Sequence, residues 1–181
     1  MSIVHNLYES LNRLYFMESL DDNNLYWVSS VKIKDIPKPS VEGIHLSQTI
    51  EGAKNVKDYR FNGKKVFLYE IHLKRELSPY IVDHDIGRWD AKNVSMLLLE
   101  DKDIMKNLQE KDVETLKTLA SLSNGKSIFV QLLYVSDILN KLGYDSIVYV
   151  NEYEEESAGE KSIMLFTNKL IDSAVYKGEL E

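Results

Sequence analysis

The chain predicts an α+β fold, a mostly antiparallel sheet with helices inserted between its halves. Three observations carry this expectation. Short runs of alternating apolar and polar residues, such as KKVFLYEIHL, occur on both sides of the middle of the chain. The middle itself, residues 91–142, reads as a helical insertion. Turn signals separate the strand-like runs, Asn62-Gly63 being the strongest.

In chain order, Ile3, Val4, Leu7, Leu11, Leu14 and Tyr15 recur at helical spacing. They predict an amphipathic helix over 2–20, within an N-terminal segment 1–22 that Asp21-Asp22-Asn23-Asn24 brings to an end. LYWVSSVKI, starting at Leu25, reads as a strand, and the proline-containing KDIPKPS as a loop. VEGIHLS predicts a short strand and QTIEGAKNVKDY a short helix. In KKVFLYEIHL, strand geometry puts Val66, Leu68 and Glu70 on one face and Phe67, Tyr69 and Ile71 on the other. SPYIVDHDIGRW reads as irregular. Asp90 is a suitable N-cap for a helix that starts at residue 91. Residues 91–121 predict two or three short helices and 127–142 a longer one, with Gly143 in a helix-ending position. Strands are expected at 144–150, 161–167 and 171–177.

The length of 181 residues suits one domain with a real core, so 1–181 reads as a single unit. The net charge of −7 disfavours non-specific binding to a nucleic-acid backbone, for which no basic excess is available. It is compatible with docking on a basic partner. Cysteine is absent, which excludes disulfides, thiol nucleophiles and thiolate metal sites and fits a reducing cytoplasm. No apolar run approaches the roughly 18–20 residues that cross a bilayer, and the N-terminus has no secretory pattern, so no membrane association is expected. The common phosphate-cradling glycine loops, the H-E-x-x-H motif and the G-x-S-x-G elbow are all missing. His5, His45, His72 and His84 are scattered, and His84 between Asp83 and Asp85 reads as a solvated loop rather than a metal site.

The stretch GYDSIVYVNEYEEESAGEKSIMLF sets two apolar strands around five glutamates within 152–160. Composition alone makes that a solvated turn. Its wording, however, resembles the late segment of the ADP-ribosyltransferase-like domains of phages and mobile elements, including the polyvalent-protein type, which reads roughly GYDGIVYxNExE…SYIVFdpsQI. LYWVSS at 25–30 resembles that family's LYHGT-like first strand. GIHLSQTIEGA at 43–53 resembles its second strand, a glycine, an aromatic, Phe and Thr followed by a helix. FLYEIHLKRELSPYIVDHDIGRWD at 67–90 resembles its middle segment. The ordered likeness runs from Leu25 to Ile171, and the last segment is its most specific part.

The resemblance implies an ADP-ribosyltransferase-like split antiparallel β-sheet with inserted helices and a cleft that holds NAD. It implies NAD contacts at Tyr26, Trp27, Ser29, His45 and Ser47. It implies a catalytic carboxylate at Glu152, with Glu154 and Asn151 as neighbouring alternatives. A glutamate there would stabilise an oxocarbenium-like ribose and help activate an incoming nucleophile. The sequence departs from the family pattern where Trp27 stands for its His, Val28 for its Gly, Ser29 for its Thr and His45 for its aromatic.

The resemblance supports two functional expectations. One is transfer of ADP-ribose from NAD to a macromolecule, with a host protein in the host cytosol as the expected target. The other is a catalytically degenerate fold acting as a binding protein, for example an anti-CRISPR-like inhibitor of a host defence protein. A nuclease or toxin of related fold is disfavoured by the lack of a His/Lys/Arg catalytic set.

Overall fold

A computed structural model describes residues 24–38, 43–82, 90–122, 128–150 and 161–181; the side chains of 59 and 128–131 are left aside. The predicted N-terminal helix over 2–20 and the glutamate-rich loop lie outside the described residues. Among the described residues, seven strands and five α-helices follow in the order β1 (Leu25–Ser29), β2 (Ile44–Ser47), α1 (Ile50–Phe61), β3 (Val66–Leu73), β4 (Pro79–Ile81), α2 (Ala91–Glu100), α3 (Lys102–Asn107), α4 (Glu110–Ala120), α5 (Ile128–Lys141), β5 (Ser146–Val150), β6 (Lys161–Leu165) and β7 (Ile171–Leu180), with a 3-10 turn at Asn168–Leu170. The fold is therefore α+β, as expected, with one mixed sheet.

The strands lie side by side in the order β4-β5-β6-β2-β1-β3-β7. Every neighbouring pair is antiparallel except β4 with β5, which is parallel. The described ladder between β1 and β2 consists of one residue pair, Tyr26 with Ser47. By contrast, β1 pairs with β3 at five positions and β2 with β6 at four. The sheet thus has a seam, with β4-β5-β6-β2 on one side and β1-β3-β7 on the other.

Local chemistry explains where several elements begin and end. The expected strand LYWVSSVKI stops at Ser29, whose Oγ accepts a hydrogen bond from the Val31 amide at 3.2 Å and offers the backbone a turn in place of the ladder. Thr49 caps α1 by accepting from the Gly52 amide, and Asp90 caps α2 by accepting from the Asn93 amide. Asp101 ends α2 and starts α3, accepting from the amides of Asp103 and Ile104 while its other oxygen accepts from the Tyr80 hydroxyl. Gly143 comes after α5 with φ of 93°, a left-handed conformation that glycine adopts without a Cβ penalty. The stretch expected to be irregular contains β4, whose Pro79 is tolerated because it opens a strand at the sheet edge.

Strand alternation divides the apolar residues between two faces. On one face, α2–α5 cover Tyr80, Ile147, Tyr149 and Met164 on one side of the seam. On the same face, α1 covers Val28, Val66 and Leu68 on the other side, through Ala53, Val56 and Phe61. The opposite face carries a cluster that crosses the seam, with Leu25, Tyr69 and Ile71 beside Ile44, Leu46, Val148 and Ile163. Among the described residues, side chains from the connections between strands, such as Ile33, Leu77 and Leu170, cover it. Asp145 ties β5 to the loop before β4. Its Oδ1 accepts from the Ser78 amide and the Ser146 hydroxyl, and its Oδ2 lies 2.7 Å from Arg75.

Candidate functional site at the sheet seam

The seam places polar side chains where a sheet's inner face is normally apolar. Register makes them a continuous row. Tyr149 on β5 stands opposite Ser162 on β6, Ser162 opposite Ser47 on β2, Ser47 opposite Tyr26 on β1, and Tyr26 opposite Glu70 on β3. Directly paired residues share a face, so all five lie on the face that carries the helices. Tyr149 belongs to the apolar cluster beneath α2–α5 and Tyr26 packs against the one beneath α1. Ser162 and Ser47 therefore lie where the two helical layers meet.

Each end of the row is held by a specific contact. His45, two residues from Ser47 and on the same face, has Nδ1 2.7 Å from the Tyr149 hydroxyl. The two rings meet edge to face at 6.1 Å. Tyr149 is 1% exposed, so this bond fixes the imidazole against a rigid partner. At the other end, Glu70 is 9% exposed and its two oxygens have separate basic side chains as neighbours. Lys177 Nζ lies 2.8 Å from Oε2, and His72 Nε2 lies 3.2 Å from Oε1. Lys177 is the extra residue of a β-bulge, since β7 advances from Tyr176 to Gly178 while β3 steps once from Tyr69 to Leu68.

These contacts set the charges. The hydrogen bond from Lys177 holds the Glu70 carboxyl below its ordinary value, and the charges of Lys177 and His72 add to the effect while burial opposes it. Lys177 is raised in turn, first by its bond to Glu70, with further contributions from the charges of Glu70 and Tyr26. Glu70 is thus an ionised acceptor on an otherwise hydroxyl-bearing row.

The residues expected to touch NAD divide between the faces. Tyr26, His45 and Ser47 come together on the helical face. Trp27 and Ser29 point to the opposite face. There Trp27 packs on Tyr69 with ring centroids 5.6 Å apart and the Ser29 hydroxyl is engaged in its turn. Val28 lies on the helical face at 7% exposure, its side chain filling the contact with Ala53 and Leu68. Glu152, Glu154 and Asn151 lie outside the described residues. Sequence reasoning did not single out Tyr149, Ser162 or Lys177. Glu70 had been assigned its face, and a carboxylate in phase with Val66 and Leu68 was the one signal pointing to this end of the row.

Among the described residues no group of three or more His, Cys, Asp and Glu side chains could hold a metal ion. No helix among them is long and apolar enough to cross a membrane. No family model, curated protein or solved structure matches this chain.

Proposed function

We propose that this is an ADP-ribosyltransferase-like protein of phage or mobile-element type, which binds NAD at the sheet seam and transfers ADP-ribose to a host protein in the cytosol. The observation that carries the reading is the in-register polar row across the join of two half-sheets. A split sheet with a cleft that holds NAD is what the resemblance of the four sequence segments implies, and the seam is where such a cleft would lie. The donor set also fits the ligand: hydroxyls, an imidazole and a carboxylate suit a sugar-bearing dinucleotide better than an apolar one.

When bound, NAD supplies an electrophilic ribose carbon. Nicotinamide would be the leaving group at that carbon, taking the bonding electron pair, and an acceptor nucleophile would replace it and lose its proton. The chain's own residues orient and stabilise. The hydroxyls of Tyr26 and Ser47, residues paired in register across the seam, act on the sugar hydroxyls. His45, steadied by Tyr149, is a polar contact for the same end of the ligand. Glu152, taken from the resemblance, is the carboxylate that offsets developing positive charge and receives the acceptor's proton. On this reading Trp27 and Ser29 shape β1 from its other face.

The purified chain, incubated with NAD carrying a label on its ADP-ribose and with a bacterial lysate, should release nicotinamide and label a protein. Glu152→Gln should abolish both outcomes. Neither release nor labelling by the unaltered chain would overturn the proposal.

A second reading is favoured by Val28, whose side chain fills ground where the family's glycine leaves room. On that reading the fold is a non-catalytic binding module, such as an inhibitor of a host defence protein. Glu152→Gln would then leave partner binding and biological effect unchanged.

A further inference from the structure

We propose that Glu70 is a ligand-binding carboxylate of the seam, one that accepts hydrogen bonds from the vicinal hydroxyls of the nicotinamide-side ribose of NAD. The proposal rests on the reading of the seam as an NAD site and adds a residue that the resemblance does not assign. Three independent features lead to it.

The first is position. Glu70 lies directly across β1 from Tyr26, which lies directly across the seam from Ser47. A ligand that meets both hydroxyls at the seam is one strand away from the carboxylate. The second is chemistry. An ionised carboxylate is purely an acceptor, and two adjacent sugar hydroxyls are two adjacent donors. Each Glu70 oxygen uses one direction on its basic neighbour and keeps acceptor capacity for another donor. The third is the arrangement of the two basic side chains. Lys177 and His72 are 42% and 43% exposed, whereas the Glu70 side chain is 12% exposed. Here the bulge at Lys177 turns an ammonium towards Glu70 from the sheet edge, which keeps the carboxylate ionised while leaving its row-facing side unencumbered by a cation on β1.

The test pairs a protein change with a ligand change, so that loss of packing is separated from loss of contact. Binding of NAD, and of NAD lacking the 2′-hydroxyl on its nicotinamide-side ribose, is measured by calorimetry on the full chain and on Glu70→Gln. The temperature is one at which circular dichroism finds both proteins folded. Glu70→Gln should weaken NAD about tenfold or more, as expected for a hydrogen bond to a charged acceptor. It should change affinity for the deoxy analogue by no more than about twofold, because that ligand has already lost the contact. Glu70→Asp should recover part of the affinity for NAD. If Glu70→Gln leaves NAD affinity unchanged, or weakens both ligands equally, Glu70 is a structural ion-pair member and the proposal is wrong. If the unaltered chain binds neither ligand and releases no nicotinamide, the NAD reading itself fails and takes this proposal with it.

Discussion

Glu70 puts a carboxylate where β3 would otherwise continue the apolar face of Val66 and Leu68. Its burial is tolerated because Lys177 donates to one oxygen and His72 Nε2 lies against the other, which offsets the loss of water. That balance depends on pH, with a definite sign. The folded-state pKa of Glu70 lies below its ordinary value of 4.5, so its contribution to stability is fully present above that value and is lost as pH falls through the folded-state value. Lys177 is raised above 10.5, so the same bond is intact at neutral pH and is lost only as pH rises through the folded-state value of the lysine. Chemical denaturation of the unaltered chain and Glu70→Gln over a series of pH values checks this. The unaltered chain should be the more stable at neutral pH, and the difference should shrink on acidification below 4.5. A constant difference down to the acid limit would mean that the carboxylate charge contributes nothing.

At the scale of elements, β2 is the strand that must be exact, since it carries His45 and Ser47 to the seam. Gly43 precedes it with φ of 87°, and a Cβ there would meet the Leu165 carbonyl oxygen at 2.7 Å and Met164 Cγ at 2.9 Å. Gly43→Ala combines left-handed backbone strain with a clash against the backbone of β6, and should cost on the order of 1–3 kcal/mol. Thermal or denaturant melts measure the loss, and an unchanged melting temperature would show that β2 can shift away from β6 at no cost. The existence of this strand was legible from the pattern IHLS, as were α1, β3, the Asp90 cap and the glycine after α5. What was not legible depended on partners distant in sequence. β4 is three residues long, opens with proline and is defined by its parallel pairing with β5, 67 residues further on. The polar row likewise exists only in the pairing: Tyr149, Ser162, Ser47, Tyr26 and Glu70 come from five different strands. Sequence could assign Glu70 its face but could not supply Lys177, which reaches it from β7 through a bulge that no local pattern announces.

Across the whole molecule, the question is whether a sheet joined at one described residue pair behaves as one body or two. The ladder argues for two, because β1 and β2 share only Tyr26 and Ser47. The core argues for one. On the face away from the helices, the cluster takes Leu25, Tyr69 and Ile71 from one half-sheet and Ile44, Leu46, Val148, Ile163 and Leu165 from the other. Separating the halves would expose both sides of that contact, and each fully buried aliphatic side chain contributes about 1.5–3 kcal/mol. Several such side chains outweigh one ladder pair, whose net hydrogen-bond contribution is about 1 kcal/mol per bond. The halves should therefore unfold together. Trp27 is a built-in reporter, because it packs on Tyr69 in the β1–β3 half beside the seam. Replacing Trp89 by Phe leaves Trp27 as the sole tryptophan of the chain. In urea, its fluorescence and the far-ultraviolet circular dichroism of the whole chain should then change with the same midpoint and slope. A Trp27 transition that clearly precedes loss of helix would mean that the β1–β3–β7 half detaches first and that the shared core does not hold the seam. Coincident transitions would make the seam a fixed feature, so that a ligand crossing it meets Tyr26, Ser47 and Glu70 already in register rather than assembling them as it binds.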